Sequence, residues 1–351
     1  MKILIYGEYS GYGRSLAKGF NELGMNAFVF SFMGDGWKSI DGDIKLYEGN
    51  KLYKLLQLIK IIPNILSHNY IIIMNPSFFN FKYLGPLILF LIKMKSIKTL
   101  LLCAGDDVEF IKQGKKGSLK PWPYMDIPLS KSKNSLFQRK RDKFINILVA
   151  KSVNKIVPVM YDYAEAWRLS DFSEKVVDTI PLSCDGDYKN EIKKTGDKIV
   201  IMHGINREEF KGTKVIKKAL ERIKNEFNDL VEIIYPERLP LSEYLILMDN
   251  VDIAIDQTKS NSYGMNAIYS MLKGHIVMAP STKNCMEEFN LKSSPIIPII
   301  HDSEDIYIKV KELVMNKDKL DNLKIQTRNY ALALHHPRII AEKFMELFKN
   351  I

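Results

Sequence analysis

The 351-residue sequence has few cysteines and histidines, the residues that cross-link small domains or bind metals. Its three cysteines, Cys103, Cys184 and Cys285, lie far apart and form no Cys-x-x-Cys pair. This excludes a zinc ribbon or a disulfide scaffold and is typical of a reducing compartment. The six histidines contain no His-x3-His pair, so we expect no metal and no resident cofactor. At about 150 residues per domain, the length predicts two domains.

Long uninterrupted hydrophobic runs are also missing. The apolar run at the N-terminus covers only about five residues, too few for the core of a signal peptide. The longest apolar stretch, Leu84–Cys103, is interrupted by Lys93, Lys95 and Lys98. A spanning helix needs about 20 apolar residues with few charges. We therefore expect no transmembrane helix and a cytoplasmic protein.

Arginine is scarce, with nine residues against 42 lysines. Base reading favours arginine, and no helix-turn-helix, zinc-finger or RNA-binding signature appears, so nucleic acid is not an expected partner. Much of the net charge of +10 lies in segment 111–143, which has ten basic residues against Asp126 and Asp142. Trp122 and Tyr124 stand among its prolines. One interpretation is that this segment docks at the inner face of an anionic membrane; the alternative is a solvated insertion.

Short β-branched runs alternate with helical patterns in both halves of the chain, which predicts parallel sheets covered on both faces. In the first half the predicted strands are Lys2–Tyr6, Ala27–Phe32, Tyr70–Met74, Thr99–Cys103, Lys155–Val159 and Val176–Ile180. In the second half they are Lys198–Met202, Leu230–Tyr235, Asp252–Ile255, Ile276–Ala279 and Ile296–Ile300. The expected fold class is α/β, with two tandem Rossmann-like doubly wound domains facing a cleft. The expected bounds are 1–184, a linker at 185–197, 198–334, and a closing helix at 335–351.

The loop after the first strand is rich in glycine. It runs from Gly7 to Gly13, and glycines at Gly11 and Gly13 let backbone amides approach a ligand at a helix N-terminus. A nicotinamide-cofactor fingerprint is incomplete, because Leu16 stands where a third glycine belongs. The alternative is a tight strand-to-helix turn without a ligand.

Two basic residues follow the strand that opens the second half. After His203 and Gly204, Arg207 and Lys211 stand four residues apart, just before a helix. An arginine fork and a lysine point charge can hold both phosphates of a diphosphate and stabilise it as a leaving group. The alternative is two surface cations neighbouring Glu208 and Glu209.

A third pattern follows the strand that ends at Ile255. Asp256 begins a polar loop that contains Gly264, and a helix starts there. Amides at a helix N-terminus favour an anion. Gly274 is typical of the C-cap of that helix.

In this order the pieces resemble the second domain of GT-B glycosyltransferases, the large retaining family-4-like group, over roughly residues 199–280. The resemblance implies that the first domain is the acceptor side and that residues 198–334 bind a nucleotide sugar. It implies catalytic roles for Arg207 and Lys211, which would contact the donor diphosphate. The implied donor-binding residues are Gly11, Gly13, His203, Gly204, Asp256, Asn261, Ser262, Tyr263, Gly264, Met265 and Tyr269.

The family usually has Glu-x7-Glu through the Gly264 loop, where this sequence has Asn261 and Tyr269. This departure motivates an alternative, a GT-B protein that binds a nucleotide sugar or glycan without transferring it. A sugar-nucleotide epimerase on the same fold is a further alternative.

Asp106 and Asp107 follow a predicted strand and are candidate acceptor-binding groups, with a helix N-cap as the alternative. Two Asp-x-Asp pairs, at 41–43 and 185–187, lie in turn-like stretches where Asp-Gly is ordinary turn chemistry. The resemblance thus implies a metal-independent glycosyltransferase that moves a sugar from a nucleotide sugar to a glycan or lipid-linked acceptor in surface polysaccharide biosynthesis.

Overall fold

The structure is a computed structural model, and it describes residues 1–32, 40–81, 83–129, 137–186 and 191–351. The chain divides into two compact units. The first unit comprises residues 1–119, 128–185 and 336–351, and the second comprises residues 120–127 and 186–335. The division at 185/186 lies one residue after the predicted end of the first domain. The Lys120–Ile127 segment belongs to the second unit, although the sequence places it well inside the first domain.

The first unit contains a six-stranded parallel sheet in the order β3-β2-β1-β4-β5-β6. Its strands are β1 (Lys2–Tyr6), β2 (Asn26–Ser31), β3 (Ile44–Lys45), β4 (Tyr70–Ile73), β5 (Lys98–Cys103) and β6 (Lys155–Pro158). The centre of the sheet is fully buried because its strands are continuous β-branched and aliphatic runs, as expected for a parallel sheet with two covered faces.

Helices cover the faces of this sheet. They are α1 (Tyr12–Glu22), α2 (Lys51–Ile65), α3 (Leu84–Met94), α4 (Val108–Lys115), α5 (Lys140–Ser152) and α6 (Tyr161–Arg168). Crossovers between parallel strands are right-handed, and after β3 the chain adds strands in the opposite lateral direction, so α1 lies on the other face of the sheet from α2, α3 and α5. The helices α2, α3 and α5 therefore share one face of the sheet.

The second unit contains a five-stranded parallel sheet in the order β11-β10-β9-β7-β8. Its strands are β7 (Ile199–Met202), β8 (Val231–Ile234), β9 (Ile253–Ile255), β10 (Ile276–Ala279) and β11 (Ile297–Pro298). Its helices are α7 (Glu208–Lys211), α8 (Thr213–Glu226), α9 (Leu241–Met248), α10 (Met265–Lys273), α11 (Lys283–Glu288), α12 (Ser303–Met315) and α13 (Leu320–His335). The expected α/β class with two Rossmann-like parallel-sheet domains is confirmed.

The last helix, α14 (Pro337–Lys349), belongs to the first unit and packs against α1. The centres of the Phe20 and Phe344 rings lie 6.1 Å apart. The two helices meet closely at Gly19, where a Cβ atom would lie 2.1 Å from the carbonyl oxygen of Pro337. Only glycine fits this crossing.

The predicted strand Val176–Ile180 is wrong. Val176 forms only an isolated bridge with Ile156, although the amide of Ile180 also donates to the carbonyl of Pro158. Pro158 has no amide hydrogen to return, so a ladder cannot continue along this edge of β6. Among the described residues, no helix combines the length and apolar character needed to cross a bilayer.

A buried ion pair joins α13 to the start of β9. The side chains of Lys324 and Asp252 are 1% and 0% exposed, and Lys324 Nζ lies 2.6 Å from Asp252 Oδ1. Asp252 Oδ2 accepts from the amide of Val200 and from Lys193 Nζ, at 2.8 and 3.0 Å. Lys324 Nζ also donates to the hydroxyl of Thr195 at 2.9 Å. This network fixes the N-terminal edge of the second sheet.

We predict that Lys324→Met lowers the free energy of unfolding by about 3 kcal/mol, because it strands part of a buried negative charge. Lys311→Met, which breaks the exposed pair with Glu226, is the matched control and should leave stability nearly unchanged. Chemical denaturation measures both. Equal effects of the two substitutions would contradict a structural role for the buried pair.

Candidate functional site

The candidate site lies at the carboxyl ends of β7 and β9, which are neighbours in the second sheet. The loop after β7 carries His203, Gly204 and Arg207, and the loop after β9 carries residues 256–264. The structure therefore brings most of the predicted donor-binding residues to one sheet edge. Ligands of open α/β sheets bind at this edge.

His203 is a fully buried structural residue. Its Nδ1 lies 2.9 Å from the carbonyl oxygen of Ile255, which can only accept, so Nδ1 carries the proton. Its Nε2 accepts from the hydroxyl of Thr213 at 2.8 Å. Burial and the nearby charge of Lys211 lower the pKa of His203 to about 4. The neutral ring thus ties β7 to β9 and α8, and both its nitrogens are already bonded within the protein.

Lys211 forms a second buried ion pair, at the opposite end of β9. Its Nζ donates to Asp256 Oδ1 at 2.9 Å and to the carbonyl oxygen of Gly204 at 3.1 Å. Asp256 Oδ1 also accepts from Asn266 Nδ2 at 3.0 Å. Burial alone would raise the pKa of Asp256, but Lys211 and Asn266 outweigh it and the pKa is lowered. Lys211 therefore neutralises Asp256, whereas the sequence predicted that it contacts a diphosphate.

Arg207 is exposed and stands at the start of α7. Its guanidinium carbon lies 3.6 Å from the centre of the Phe210 ring. Its Nη1 donates to the hydroxyl of Tyr124 at 3.3 Å, and the Tyr124 and Phe210 rings meet edge to face at 5.3 Å. Two rings thus hold the guanidinium in place while its charge remains open to solvent.

Tyr124 comes from the Lys120–Ile127 segment, which is fastened to the second unit at two further points. Asn261 Nδ2 donates to the carbonyl oxygen of Lys120 at 3.3 Å, and Lys259 Nζ lies 3.1 Å from Asp126 Oδ2. Trp122 and Tyr124 are 6% and 5% exposed. Both rings are therefore buried in the second unit, and the docking of segment 111–143 on an anionic membrane stays a prediction. Lys131 and Lys133 of the basic segment lie outside the described residues.

The N-terminus of α10 is a candidate anion-binding end. Gly264 precedes the helix, and a Cβ atom there would have no neighbour within 4 Å. Within the described part of the chain, no side chain caps this end. Asn266 in the first turn shares Asp256 with Lys211, the last residue of α7, so the end of α7 is linked to the start of α10. Free amides and the helix dipole here favour a negative group.

The residues at the Glu-x7-Glu positions are both buried. Asn261 donates to Lys120 and accepts from the hydroxyl of Thr282 at 3.2 Å. Tyr269 is 4% exposed. The nearby Tyr263 hydroxyl meets Nε2 of His335 at 3.0 Å. These contacts are internal to the second unit.

Predicted residues of the first unit are also engaged. The carboxylate of Glu8 accepts from the amides of Gly11 and Arg14 at 2.8 and 2.9 Å, and a Cβ atom at Gly13 would lie 2.7 Å from it. The glycine loop thus binds its own carboxylate, which occupies the Gly11 amide that the sequence assigned to a ligand.

Asp107 caps α4. Its carboxylate accepts from the amide of Phe110 at 2.8 Å and from the indole of Trp167 at 2.7 Å, so the N-cap alternative is confirmed. Burial raises its pKa to about 7. The adjacent Asp106 accepts from Asn75 through its backbone carbonyl at 3.1 Å.

Two cavities lie within the first unit. One, of about 310 Å³, opens where β1, β4 and β5 end and is lined by Asn75, Asn80, Asp107 and Asn146 among others. The other, of about 420 Å³, has four lysines in its wall. Those four are Lys112, Lys115, Lys116 and Lys143.

The Asp-x-Asp pairs have local partners. Asp43 accepts from the amide of Val29 at 2.8 Å, and Asp41 pairs with Lys45 at 2.6 Å. Asp187 lies outside the described residues. In the ranges that the structure describes, no three His, Cys, Asp or Glu side chains are grouped to hold a metal.

Sequence reasoning missed Tyr124, Tyr244 and Asn266. The hydroxyl of Tyr244 donates to Asn266, and a Cβ atom at Gly204 would lie 2.6 Å from that hydroxyl. The Pro-Trp-Pro-Tyr run drew attention to Tyr124 in the sequence. Nothing local could link it to Arg207, because the two residues are 83 positions apart.

No protein-family model matches the sequence, and no curated protein is similar to it. The structure is similar to HepE from Anabaena in complex with UDP-glucose, with a TM-score of 0.64, 13% identity and 100% of both chains covered. It is similar to sucrose-phosphate synthase from Thermosynechococcus elongatus, with a TM-score of 0.60, 12% identity and coverage of 100% and 99%. UDP-GlcNAc 2-epimerase from Neisseria meningitidis bound to UDP-GlcNAc matches at 0.53, with 10% identity and 100% of both chains covered. The chain has the GT-B fold.

We predict that Lys211→Met lowers the free energy of unfolding by about 3–5 kcal/mol, because it leaves Asp256 buried and unpaired. The double variant Lys211→Met/Asp256→Asn should recover part of this loss. Lys273→Met is the matched control, since Lys273 is equally buried but its partner Asp249 is 25% exposed. Denaturant titration of the three variants tests this. A Lys211→Met protein as stable as the control would show that the pair contributes nothing.

We also predict an acid-sensitive stability from His203. Its native pKa of about 4 lies below its unfolded value of 6.5. Between these two pH values the unfolded chain binds a proton at this residue and the native chain does not. Stability should therefore fall as pH decreases from 6.5 towards 4, by up to about 1.4 kcal/mol per pH unit. His203→Asn keeps a donor for Ile255 but does not titrate, and its slope should be shallower. Identical slopes in denaturation midpoints would contradict this.

Proposed function

We propose that this protein is a glycosyltransferase that moves a sugar from a nucleotide sugar to a glycan or lipid-linked acceptor. The observation that carries the proposal is the exposed guanidinium of Arg207, held at the same sheet edge as the open N-terminus of α10. Both features suit a diphosphate. The similarity of the fold to HepE in complex with UDP-glucose supports a nucleotide-sugar donor.

Arg207 and Lys211 have different roles in this proposal. Arg207 is the catalytic residue, because its planar guanidinium can donate hydrogen bonds to two phosphate oxygens and stabilise the charge that develops on the leaving diphosphate. Lys211 is a positioning residue, because its ammonium is bonded to Asp256 and through it to Asn266 in the first turn of α10. The pair holds α7 and α10 in register at the edge where the donor binds.

The chemistry requires no protein nucleophile in this proposal. The leaving phosphate takes the proton of the acceptor hydroxyl, and the sugar is transferred with retention of configuration. Metal independence follows if Arg207 and the amides of α10 supply the positive charge that a metal ion would provide.

We propose that the acceptor binds to the first unit. Asn80 and Asn146 line the smaller cavity, and their side-chain oxygens can accept hydrogen bonds from glycan hydroxyls, beside the turn of Asp106 and Asp107. The four lysines of the larger cavity suit a phosphate of a lipid-linked acceptor. This supports a role in surface polysaccharide biosynthesis, at the cytoplasmic face of a membrane.

Binding without transfer is the second candidate, and Asn261 and Tyr269 favour it. Neither supplies the carboxylate that the resembled family has at these positions, and both are buried. An epimerase would convert the donor without an acceptor. Incubation with UDP-, GDP-, ADP- and CDP-sugars separates the three, because only a transferase forms a glycosylated acceptor.

We predict that Arg207→Ala lowers kcat/KM for the nucleotide sugar by about 30- to 150-fold, equivalent to about 2–3 kcal/mol of transition-state stabilisation. Arg222→Ala is the matched control, because Arg222 is also an exposed arginine over an aromatic ring, 3.7 Å from the centre of Tyr307. It should retain activity.

Thermal shift with the nucleotide-sugar panel identifies the donor first, since a ligand at 100 times its Kd adds about 2.7 kcal/mol of stability. Wild-type turnover by Arg207→Ala would rule out the proposed role. No thermal shift with any sugar nucleotide would rule out the proposed donor class.

A further inference from the structure

One stretch of the first unit is exceptionally one-sided in charge. From Gly49 to Gly105 the sequence contains seven lysines and no aspartate or glutamate. This stretch forms α2, β4, α3 and most of the chain up to the end of β5.

Helix α2 leaves several of its apolar side chains in solvent. Leu52, Leu56 and Ile59 are 64%, 50% and 47% exposed. Their spacing of four and three residues places them on one side of the helix. In a helix that covers a sheet, residues with this spacing normally face the sheet and are buried.

Helix α3 carries a second exposed apolar stripe. Tyr83, Leu87, Phe90 and Met94 recur at helical spacing and are between 46% and 90% exposed. Helix α3 packs against α5, which exposes Phe144. Since α2, α3 and α5 share one face of the sheet, these side chains belong to one outer layer. Soluble proteins rarely expose this much apolar surface without a partner.

Exposed cations accompany these apolar side chains. Lys51 and Lys60 lie on α2, Lys93 on α3, and Lys140 and Lys143 on α5. Over the described residues of the three helices the one carboxylate is Asp142, which is buried and bonded to Arg139 and Asn80. The layer therefore presents apolar side chains and positive charge with no exposed negative charge.

We propose that the outer face of α2, α3 and α5 docks on an anionic lipid bilayer. Apolar side chains enter the interface between headgroups and acyl chains, and the lysines contact the anionic headgroups. Net positive charge disfavours a second copy of the same face, since like charges repel. The apolar stripes distinguish the face from one that binds nucleic acid, whose interfaces are polar.

The test is sedimentation of the full chain with vesicles of phosphatidylcholine, with or without about 30% phosphatidylglycerol. The wild-type protein should bind the anionic vesicles at least about tenfold more tightly than the neutral ones, and less tightly as salt rises. The assay needs no nucleotide sugar, so its outcome is independent of the proposed transfer reaction.

The variant Leu56→Glu/Phe90→Glu/Phe144→Glu should bind anionic vesicles at least about tenfold more weakly. The matched control is Ile246→Glu/Ile300→Glu/Ile308→Glu, which adds the same charge at three apolar residues of the second unit that are more than half exposed. It should lose at most about a third as much affinity, through overall charge alone. Thermal midpoints confirm that both variants are folded.

Three results would overturn the proposal. The first is no binding of the wild-type protein to anionic vesicles at low salt. The second is an equal loss in the face variant and the control. The third is that the wild-type chain dimerises without lipid and the face variant is monomeric, which would assign the face to a second copy.

Discussion

The second unit depends on two buried carboxylates that bracket a three-residue strand. Asp252 precedes β9 and pairs with Lys324, and Asp256 follows β9 and pairs with Lys211. A carboxylate in such a place must be neutralised, because an unpaired buried charge costs several kcal/mol. Each lysine comes from a different helix, so the two pairs fix α13 and α7 to opposite ends of the same strand. The candidate site is built on the second pair.

Because the buried Asp256 must be neutralised, the two cations of the site have different roles. Lys211 is held by Asp256 and Gly204, so its charge serves the fold and the position of α10. Arg207 stands on Phe210 and keeps its fork exposed. The Lys120–Ile127 segment adds Tyr124 to this arrangement, which makes part of the first half of the chain a wall of the candidate site in the second unit.

Local patterns predicted much of the fold. Strands β1 and β10 have the predicted bounds, because a short apolar run and the turn residues that flank it are local features of the sequence. The sequence does not mark out α3, because the buried and the exposed faces of this helix are both apolar. The N-cap role of Asp107 was one of the two predicted alternatives. The binding of Glu8 to the glycine loop was not predicted, since a loop that binds a ligand and a loop that binds its own carboxylate have the same local sequence.

The sequence by itself determined the α/β class and the sheet edge that carries Arg207, Lys211 and Gly264, because strand period and turn chemistry are local properties. Tertiary structure alone decided which cation is buried and which is exposed. That outcome depends on a carboxylate 45 residues away in sequence, which comes within 2.9 Å of Lys211 and not of Arg207. Tertiary structure also decided that the aromatic pair of the basic segment is buried and that α2 and α3 expose apolar side chains, since burial is set by what folds against each surface.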